Sequence, residues 1–505
     1  MVAKVMSVAL QGFEGTLIEV ESDMKQGLPL IQIVGMGNKA VTEAKERVRS
    51  AITNSLLDFP ARKLTLNLAP AELPKDGAHF DLPIALSILI SSGQLRQTEV
   101  EQALFAGELA LDGGLRPIKG VITIAETAKK AGYQQLYVPI LSQEQASLIS
   151  GIDVIGVATL KDLYLHLKKE VIIPPFHASK RPFLKPSNDS KSLDDIQGQE
   201  QAKRALQIAI AGRHNLLLCG PPGTGKTMLA KAAASLLPPL SHTEVVEVTK
   251  IHSMTRDPHN QVVYGRPFRS PHHTTSALAV IGGGNRPQPG EISLAHRGIL
   301  FLDELPEYSR SVLEALRQPL EDRTISIARA HGRTTYPADF ILIATMNPCP
   351  YGYHGDPDKE CSCSMNQILA YQKRLSGPLL DRIDLILTVS KVNRSTLLTQ
   401  NTLNKKQHSL VVNSIIDTKT VQKKRYKSSR IYNGSLSSSQ VKTLLTLTPA
   451  AKDLLLTAAD RLDLTARSYF KVIKVAQTIA DLARSPVIDS AHIGEALQFR
   501  GNLQI

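Results

Sequence analysis

The sequence predicts an α/β protein with two successive α/β units and a helical C-terminal region, and three observations carry that expectation. Short apolar runs alternate with helical patterns through residues 1–166. A second alternating stretch, 193–390, contains an apolar strand, Leu216–Cys219, that runs into G-P-P-G-T-G-K-T at Gly220–Thr227 and then a helix pattern, Met228–Leu237. Near the C-terminus, 448–505, Leu454, Leu455, Ala458 and Leu462 recur at helical spacing. A length of 505 residues suits about three domains of roughly 150 residues each.

In the first unit, Leu30–Gly35 reads as a strand and Ala40–Asn54 as a basic amphipathic helix. Lys63–Leu68 alternates with period two, as a half-buried strand does. Asp81–Ser92 reads as a buried helix started near Pro83, and Gln135–Pro139 and Val154–Val157 as strands. Residues 167–192 form a linker in which Pro174, Pro175, Pro182 and Pro186 block helix and sheet continuation. Residues 391–447 read as a basic polar insertion before the helical lid.

Composition narrows the function. Apolar residues make up 42%, too many for a disordered chain. The longest apolar run, Leu82–Ile90, is interrupted by Pro83 and Ser87 and is far short of the ~20 residues that span a bilayer. The N-terminus lacks the pattern of a secretory signal. Four cysteines make no disulfide framework, which points to a reducing cytoplasm. Net charge is +13, favouring an anionic partner, nucleic acid before an acidic membrane. Residues 391–450 hold eleven Lys and Arg against one acid, Asp417, so most of the excess sits there.

The glycine-rich loop has the strand–loop–helix context of a phosphate cradle, in which backbone N–H groups and a helix N-terminus face the anion. Gly220, Pro221, Pro222, Gly223, Thr224 and Gly225 form the loop, Lys226 reaches the β- and γ-phosphates, and Thr227 holds Mg²⁺. The strand G-I-L-F-L at Gly298–Leu302 delivers Asp303, which can organise Mg²⁺, and Glu304, which can polarise a water. A third apolar strand, Phe340–Ala344, leads to Asn347, placed to orient that water.

These motifs, in this order, resemble AAA+ ATPases. L-D-D-I-Q-G-Q-E at Leu193–Glu200 is similar to the segment that packs on adenine in that superfamily, through Ile196 and Gly198. R-P-F-R-S-P-H-H-T-T-S at Arg266–Ser276 and G-E-I-S-L-A-H-R-G-I-L-F-L-D-E at Gly290–Glu304 resemble the magnesium-chelatase-like group. With the N-terminal domain they point to the ComM family, also called YifB. The resemblance implies an ATP- and Mg²⁺-dependent hexameric DNA motor, a branch-migration helicase serving recombination in natural transformation. It implies Walker A roles for Lys226 and Thr227, Walker B roles for Asp303 and Glu304, and sensor 1 for Asn347. Arg382 resembles an arginine finger that enters a neighbouring subunit's site, and Arg467 a sensor 2 on the lid. Two insertions suit a DNA-lined pore: Val245–Arg297, with Arg266, Arg269 and His272, and the hairpin Arg323–Tyr336, with Arg329 and Arg333 flanking its tip. The other reading is a pair of structural hairpins, with these arginines in intersubunit ion pairs.

A-P-A-E-L-P-K-D-G at Ala69–Gly77 and G-E-L-A-L-D-G-G-L-R-P-I at Gly107–Ile118 resemble the Lon protease domain. That resemblance puts His79 at the nucleophilic Ser and Ile122 at the Lys, so the Ser–Lys dyad is missing. The fold is then reused for assembly or DNA binding, with Lys4, Lys39, Lys45, Arg47 and Arg49 as either a basic face or ordinary solvated side chains. Cys349, Cys361 and Cys363 with His354 offer a Cys₃His set for Zn²⁺, with free thiols as the alternative. Two other functions fit the core motifs: a magnesium-chelatase ATPase subunit, and a Lon-like protein-remodelling ATPase without peptidase activity.

Overall fold

A computed structural model describes residues 2–34, 39–73, 75, 77–177, 191–255, 261–284, 288–329, 332–356, 358–392 and 406–500. The chain divides into two compact units. The first comprises Met1–Phe183 with Ser241–Tyr264, the second Leu184–Leu240 with Gly265–Ile505.

The first unit is built on a seven-stranded mixed sheet in the order Leu30–Val34, Lys63–Ala69, Glu14–Lys25, Ala3–Gln11, Ala103–Phe105, Gln135–Pro139, Asp153–Val157. Ala3–Gln11 and Glu14–Lys25 pair antiparallel along their length and turn at Gly12, which takes the positive φ of 59° that the two-residue connection needs. The helix Asp81–Ser91 is buried on every side from Asp81 to Ile90, which is why its sequence is apolar all round. Pro83 sits in its first turn, where a missing N–H costs no helical bond.

Ser241–Tyr264 joins this unit although it follows the glycine-rich loop in sequence. Its helix, His242–His252, is started by a Ser241–Glu244 capping box and buries Val245, Val248 and Ile251. Lys250 Nζ lies 2.5 Å from Glu126, and His242 Nε2 lies 3.1 Å from the Leu148 carbonyl oxygen. The Val245–Arg297 interval, expected as one insertion, is therefore divided between the two units.

The second unit holds a five-stranded parallel sheet in the order Phe268–Arg269, Ile299–Leu302, Ile341–Met346, Leu216–Cys219, Leu385–Thr388. Its three central strands are buried throughout, as strands covered on both faces are. The helices Glu200–Gly212, Lys226–Leu236 and Ala466–Leu482 contribute to the core around the sheet. The hairpin expected at 323–336 is present as Thr324–Arg329 paired with Gly332–Pro337.

The basic stretch after residue 391 departs from expectation. Gln407–Tyr426 is a 20-residue helix that buries Ile415, Thr418, Gln422 and Tyr426. Gln422 donates to the Ala211 carbonyl at 2.9 Å, and Arg425 Nη1 lies 2.8 Å from Asp481. Burying Ile415 alone stabilises by about 2 kcal/mol relative to exposure. This segment is the first helix of the C-terminal helical region rather than a polar tether, while Lys423, Lys424 and Lys427 stay exposed.

Candidate nucleotide site

Parallel register brings the motif residues to one edge of the second sheet. Cys219 is level with Met346 and Thr388, and Leu302 with Ala344, so Gly220, Asp303 and Asn347 all emerge at the strands' carboxyl ends. That edge is where open α/β sheets place ligands. Gly220 has to be glycine because a Cβ would meet the Val389 carbonyl oxygen at 2.2 Å. Gly223 and Gly225 have φ of 78° and 86°, and a Cβ at either would meet no atom within 4 Å. The loop is thus a cradle with open space over it, leading into the N-terminus of Lys226–Leu236.

The side chains at this edge form one hydrogen-bonded chain. Lys226 Nζ donates to the carbonyls of Gly220 at 2.6 Å and Pro221 at 2.8 Å, and to Asn347 Oδ1 at 3.2 Å. Asn347 Nδ2 donates to Glu304 at 3.4 Å. The Glu304 N–H donates to Thr345 Oγ1 at 3.0 Å, Thr345 donates to Asp303, and Thr227 donates to Asp303 at 3.2 Å. Burial lowers the Lys226 pKa from its ordinary value, and the nearby acids oppose that shift. Glu304 has a left-handed backbone, φ 52° and ψ 56°, a costly conformation for a non-glycine residue. Thr345 was not singled out in the sequence. Its only signal there was its position two residues before Asn347; its role as the buried link between Asp303 and Glu304 is a non-local contact.

The residues fit a magnesium nucleotide: an open backbone cradle, a cation, and a hydroxyl beside a carboxylate. Ile196 is buried, and Gln199 Nε2 donates to the Ser390 carbonyl at 2.6 Å, holding the Leu193–Glu200 segment at the same edge. A Cβ on Gly198, φ 64°, would lie 3.2 Å from Val392.

Arg382 and Arg467 sit elsewhere. Asp384 donates its N–H to the Asn215 carbonyl at 3.0 Å, which places Arg382 at the amino ends of the strands, the opposite edge from the cradle. There both arginines bind one carboxylate, Glu321. Arg382 Nη1 also donates to the Pro378 carbonyl at 2.6 Å. A cavity of about 590 Å³ opens beside them, lined in part by Arg323, Lys471 and Lys474. Deeper in, burial alone would raise the Asp339 carboxyl, but Arg213, Arg323 and Arg297 outweigh it and hold it at about 2.

The expected DNA contacts divide. Arg266 donates to the Pro238 carbonyl and, at 2.6 Å, to that of Arg297; Arg269 makes a two-point ion pair with Glu291 at 2.5 and 2.7 Å. In this structure both arginines hold internal partners. His272 is exposed, with Nδ1 2.8 Å from Thr274 Oγ1. The side chains of Arg329 and Arg333 lie outside the described residues, as does that of Lys39.

In the first unit, His79 is buried with Nε2 2.9 Å from the Val8 carbonyl, and burial lowers its pKa to about 4. Ile122 is fully buried. Lys4 pairs with Glu19, Arg47 with Asp81, and Arg49 lies over Phe59, so these three do not make a free basic face. The cysteines do come together: one sulfur from each of Cys349, Cys361 and Cys363 lies within 4.8 Å of the others. The His354 ring is not in that group, contrary to the expected Cys₃His set; its contribution is a backbone N–H to Cys349. Burial opposes ionisation of Cys349, yet this donor and Gly352 N–H, 3.1 Å away, leave the thiol below its ordinary pKa.

Taken together, the parallel sheet, cradle, acidic strand and helical C-terminal region define a magnesium-chelatase-type AAA+ protein. Three family models match: magnesium chelatase, subunit ChlI, over residues 192–397; subunit ChlI of Mg-chelatase over 20–142; and the ChlI C-terminal model over 406–500. The last begins where the helix Gln407–Tyr426 does. Competence protein ComM of Haemophilus influenzae is 40% identical over 100% of this chain and 98% of its own length. YifB of Escherichia coli is 40% identical over 97% and 96%. A probable DNA helicase MCM9 of Arabidopsis thaliana is 28% identical over 38% of this chain and 25% of its own length. The chain belongs to the ComM/YifB family. Among the described residues no helix is long and apolar enough to cross a membrane.

Proposed function

We propose that this chain is a cytoplasmic ATPase that assembles into a ring, most simply a hexamer, and moves along DNA to extend branched recombination intermediates during natural transformation. The observation that carries the ring is the separation of the cradle from Arg382 and Arg467 on opposite edges of one sheet. Among the described residues the hydrogen-bonded chain at the cradle includes no arginine, while Arg382 and Arg467 sit at the other edge; a head-to-tail contact between copies would join these halves. On this reading both arginines serve a neighbour's nucleotide, and Arg467 does so alongside Arg382 rather than within its own subunit.

In the cradle, the Gly220–Gly225 backbone and Lys226 would hold the phosphates, and Thr227 and Asp303 would hold Mg²⁺. A bound Mg²⁺ would offset phosphate charge. Glu304 accepts a proton from water as its oxygen attacks the γ-phosphorus and ADP leaves, while Asn347 and Thr345 fix the carboxylates. Lys226 has first to exchange its loop carbonyls for phosphate oxygens.

The DNA reading draws support from full-length similarity to a protein named for competence and from the partial similarity to a named helicase. With Arg266 and Arg269 occupied, the remaining contacts are His272, Arg329, Arg333 and the exposed Lys423, Lys424 and Lys427. The first unit acts as a Lon-like domain without the dyad, used for assembly. Zn²⁺ at the cysteine trio is a structural cofactor, and recombination proteins are the expected partners. ATP hydrolysis should rise on adding single-stranded or branched DNA, and a Holliday junction should be displaced with ATP. Failure of both would leave the chelatase-type or protein-remodelling readings and end this one.

A further inference from the structure

The cysteine trio lies against the nucleotide cradle. Cys349 follows Asn347 by two residues, and the turn it starts closes at Gly352, whose N–H donates to Cys349 Sγ at 3.1 Å. Gly352 has φ 93°, and a Cβ there would lie 2.8 Å from Pro222 of the glycine-rich loop. One face of this turn carries a thiol and the other rests on the cradle. The loop's far end is tied by Asp356 to Lys391, 2.7 Å away, beside the segment that meets Gly198.

The sulfur spacing suits a cation. Cys349 and Cys361 Sγ are 3.5 Å apart. Tetrahedral Zn²⁺ with Zn–S bonds of about 2.3 Å sets its sulfurs roughly 3.8 Å apart. Further, the Cys363 N–H donates to Cys361 Sγ at 3.4 Å, so backbone donors already face two of the sulfurs, as they would face thiolates. Thiolate donors select soft or borderline cations over Mg²⁺, which prefers oxygen.

We propose that Cys349, Cys361 and Cys363 form a three-thiolate site for a cation of the zinc class, and that filling it braces the Cys349–Asp356 loop against the glycine-rich loop, so that nucleotide affinity depends on the metal. The brace rests on the nucleotide reading above; the metal site does not. Binding releases the thiol protons and ties residues 361 and 363 to 349, fixing the Gly352 turn against Pro222. Without the metal, that turn lacks this tie from residues 361 and 363.

The test uses the full chain purified under reducing conditions. Elemental analysis should find about one zinc per chain in the wild type and none in Cys361→Ser/Cys363→Ser. Affinity for a fluorescent, non-hydrolysable ATP analogue should fall roughly tenfold in that variant and in wild type stripped with a chelator. Adding ZnCl₂ should restore the stripped wild type. Should the variant fail to fold, stripping and refilling the wild type decides alone. A wild type that takes up no zinc even when incubated with ZnCl₂ overturns the site. Zinc removal that leaves the analogue affinity unchanged overturns the brace. A zinc-filled wild type that binds the analogue no better than Lys226→Ala overturns the cradle reading and the brace with it, but not the metal site.

Discussion

The two edges of the second sheet are built on opposite principles. The carboxyl edge has little side-chain bulk: Gly223 and Gly225 leave space, and its charged groups are linked in one chain from Lys226 to Thr227. The amino edge is crowded with charge, with Arg213, Arg297 and Arg323 around Asp339, and Arg382 and Arg467 on Glu321. One edge is shaped to receive phosphate and the other to present cations. On the proposed reading, the catalytic parts are brought together only between two copies.

Breaking the cradle should have the largest effect. Lys226→Ala removes the cation that faces phosphate, and nucleotide binding and DNA movement should both be lost, read by analogue binding and junction displacement. Breaking the amino edge should separate the two. Arg382→Ala should lower kcat by about 10³-fold while analogue affinity stays within about twofold, if Arg382 acts on a neighbour's site as proposed. Glu321→Ala should have a smaller effect, about tenfold on kcat, since it releases both arginines without deleting either; a change in analogue affinity instead would place Glu321 at the wrong edge.

Acid should weaken the amino edge through His214. Burial lowers its pKa from 6.5 to about 4, with Asp384 opposing that shift. The unfolded chain therefore takes up the proton first. The stability tied to neutral His214 is complete above about pH 6.5 and declines as pH falls toward 4, by on the order of 3 kcal/mol. Denaturant unfolding between pH 4 and 7 should show that slope, and His214→Gln should flatten it.

The cradle was legible because it is local: a strand, a glycine loop and a helix are contiguous in sequence, and parallel register does the rest. The two carboxylates and Asn347 were legible because each ends an apolar strand. Glu321 was invisible, since its two partners are 61 and 146 positions away. Arg266 and Arg269 read as a basic cluster because the carbonyls and Glu291 that hold them are not apparent from spacing. The helix Gln407–Tyr426 was missed because its buried stripe, Ile415, Thr418, Gln422 and Tyr426, is half polar and gives little helical periodicity. The pairing of Ala3–Gln11 with Glu14–Lys25 was missed because its turn is short and its strands are long and mixed in polarity.

The central claim, that neighbouring copies complete each other's sites, is tested most directly by mixing. Lys226→Ala lacks a working cradle but keeps its arginines; Arg382→Ala keeps its cradle but lacks the finger. Each alone should hydrolyse almost no ATP. Mixed in equal amounts and allowed to exchange subunits, they should recover about a quarter of the wild-type rate, the share of contacts that pair an intact cradle with an intact arginine. Exchange confirmed by labelled subunits with no recovery of hydrolysis would contradict the account.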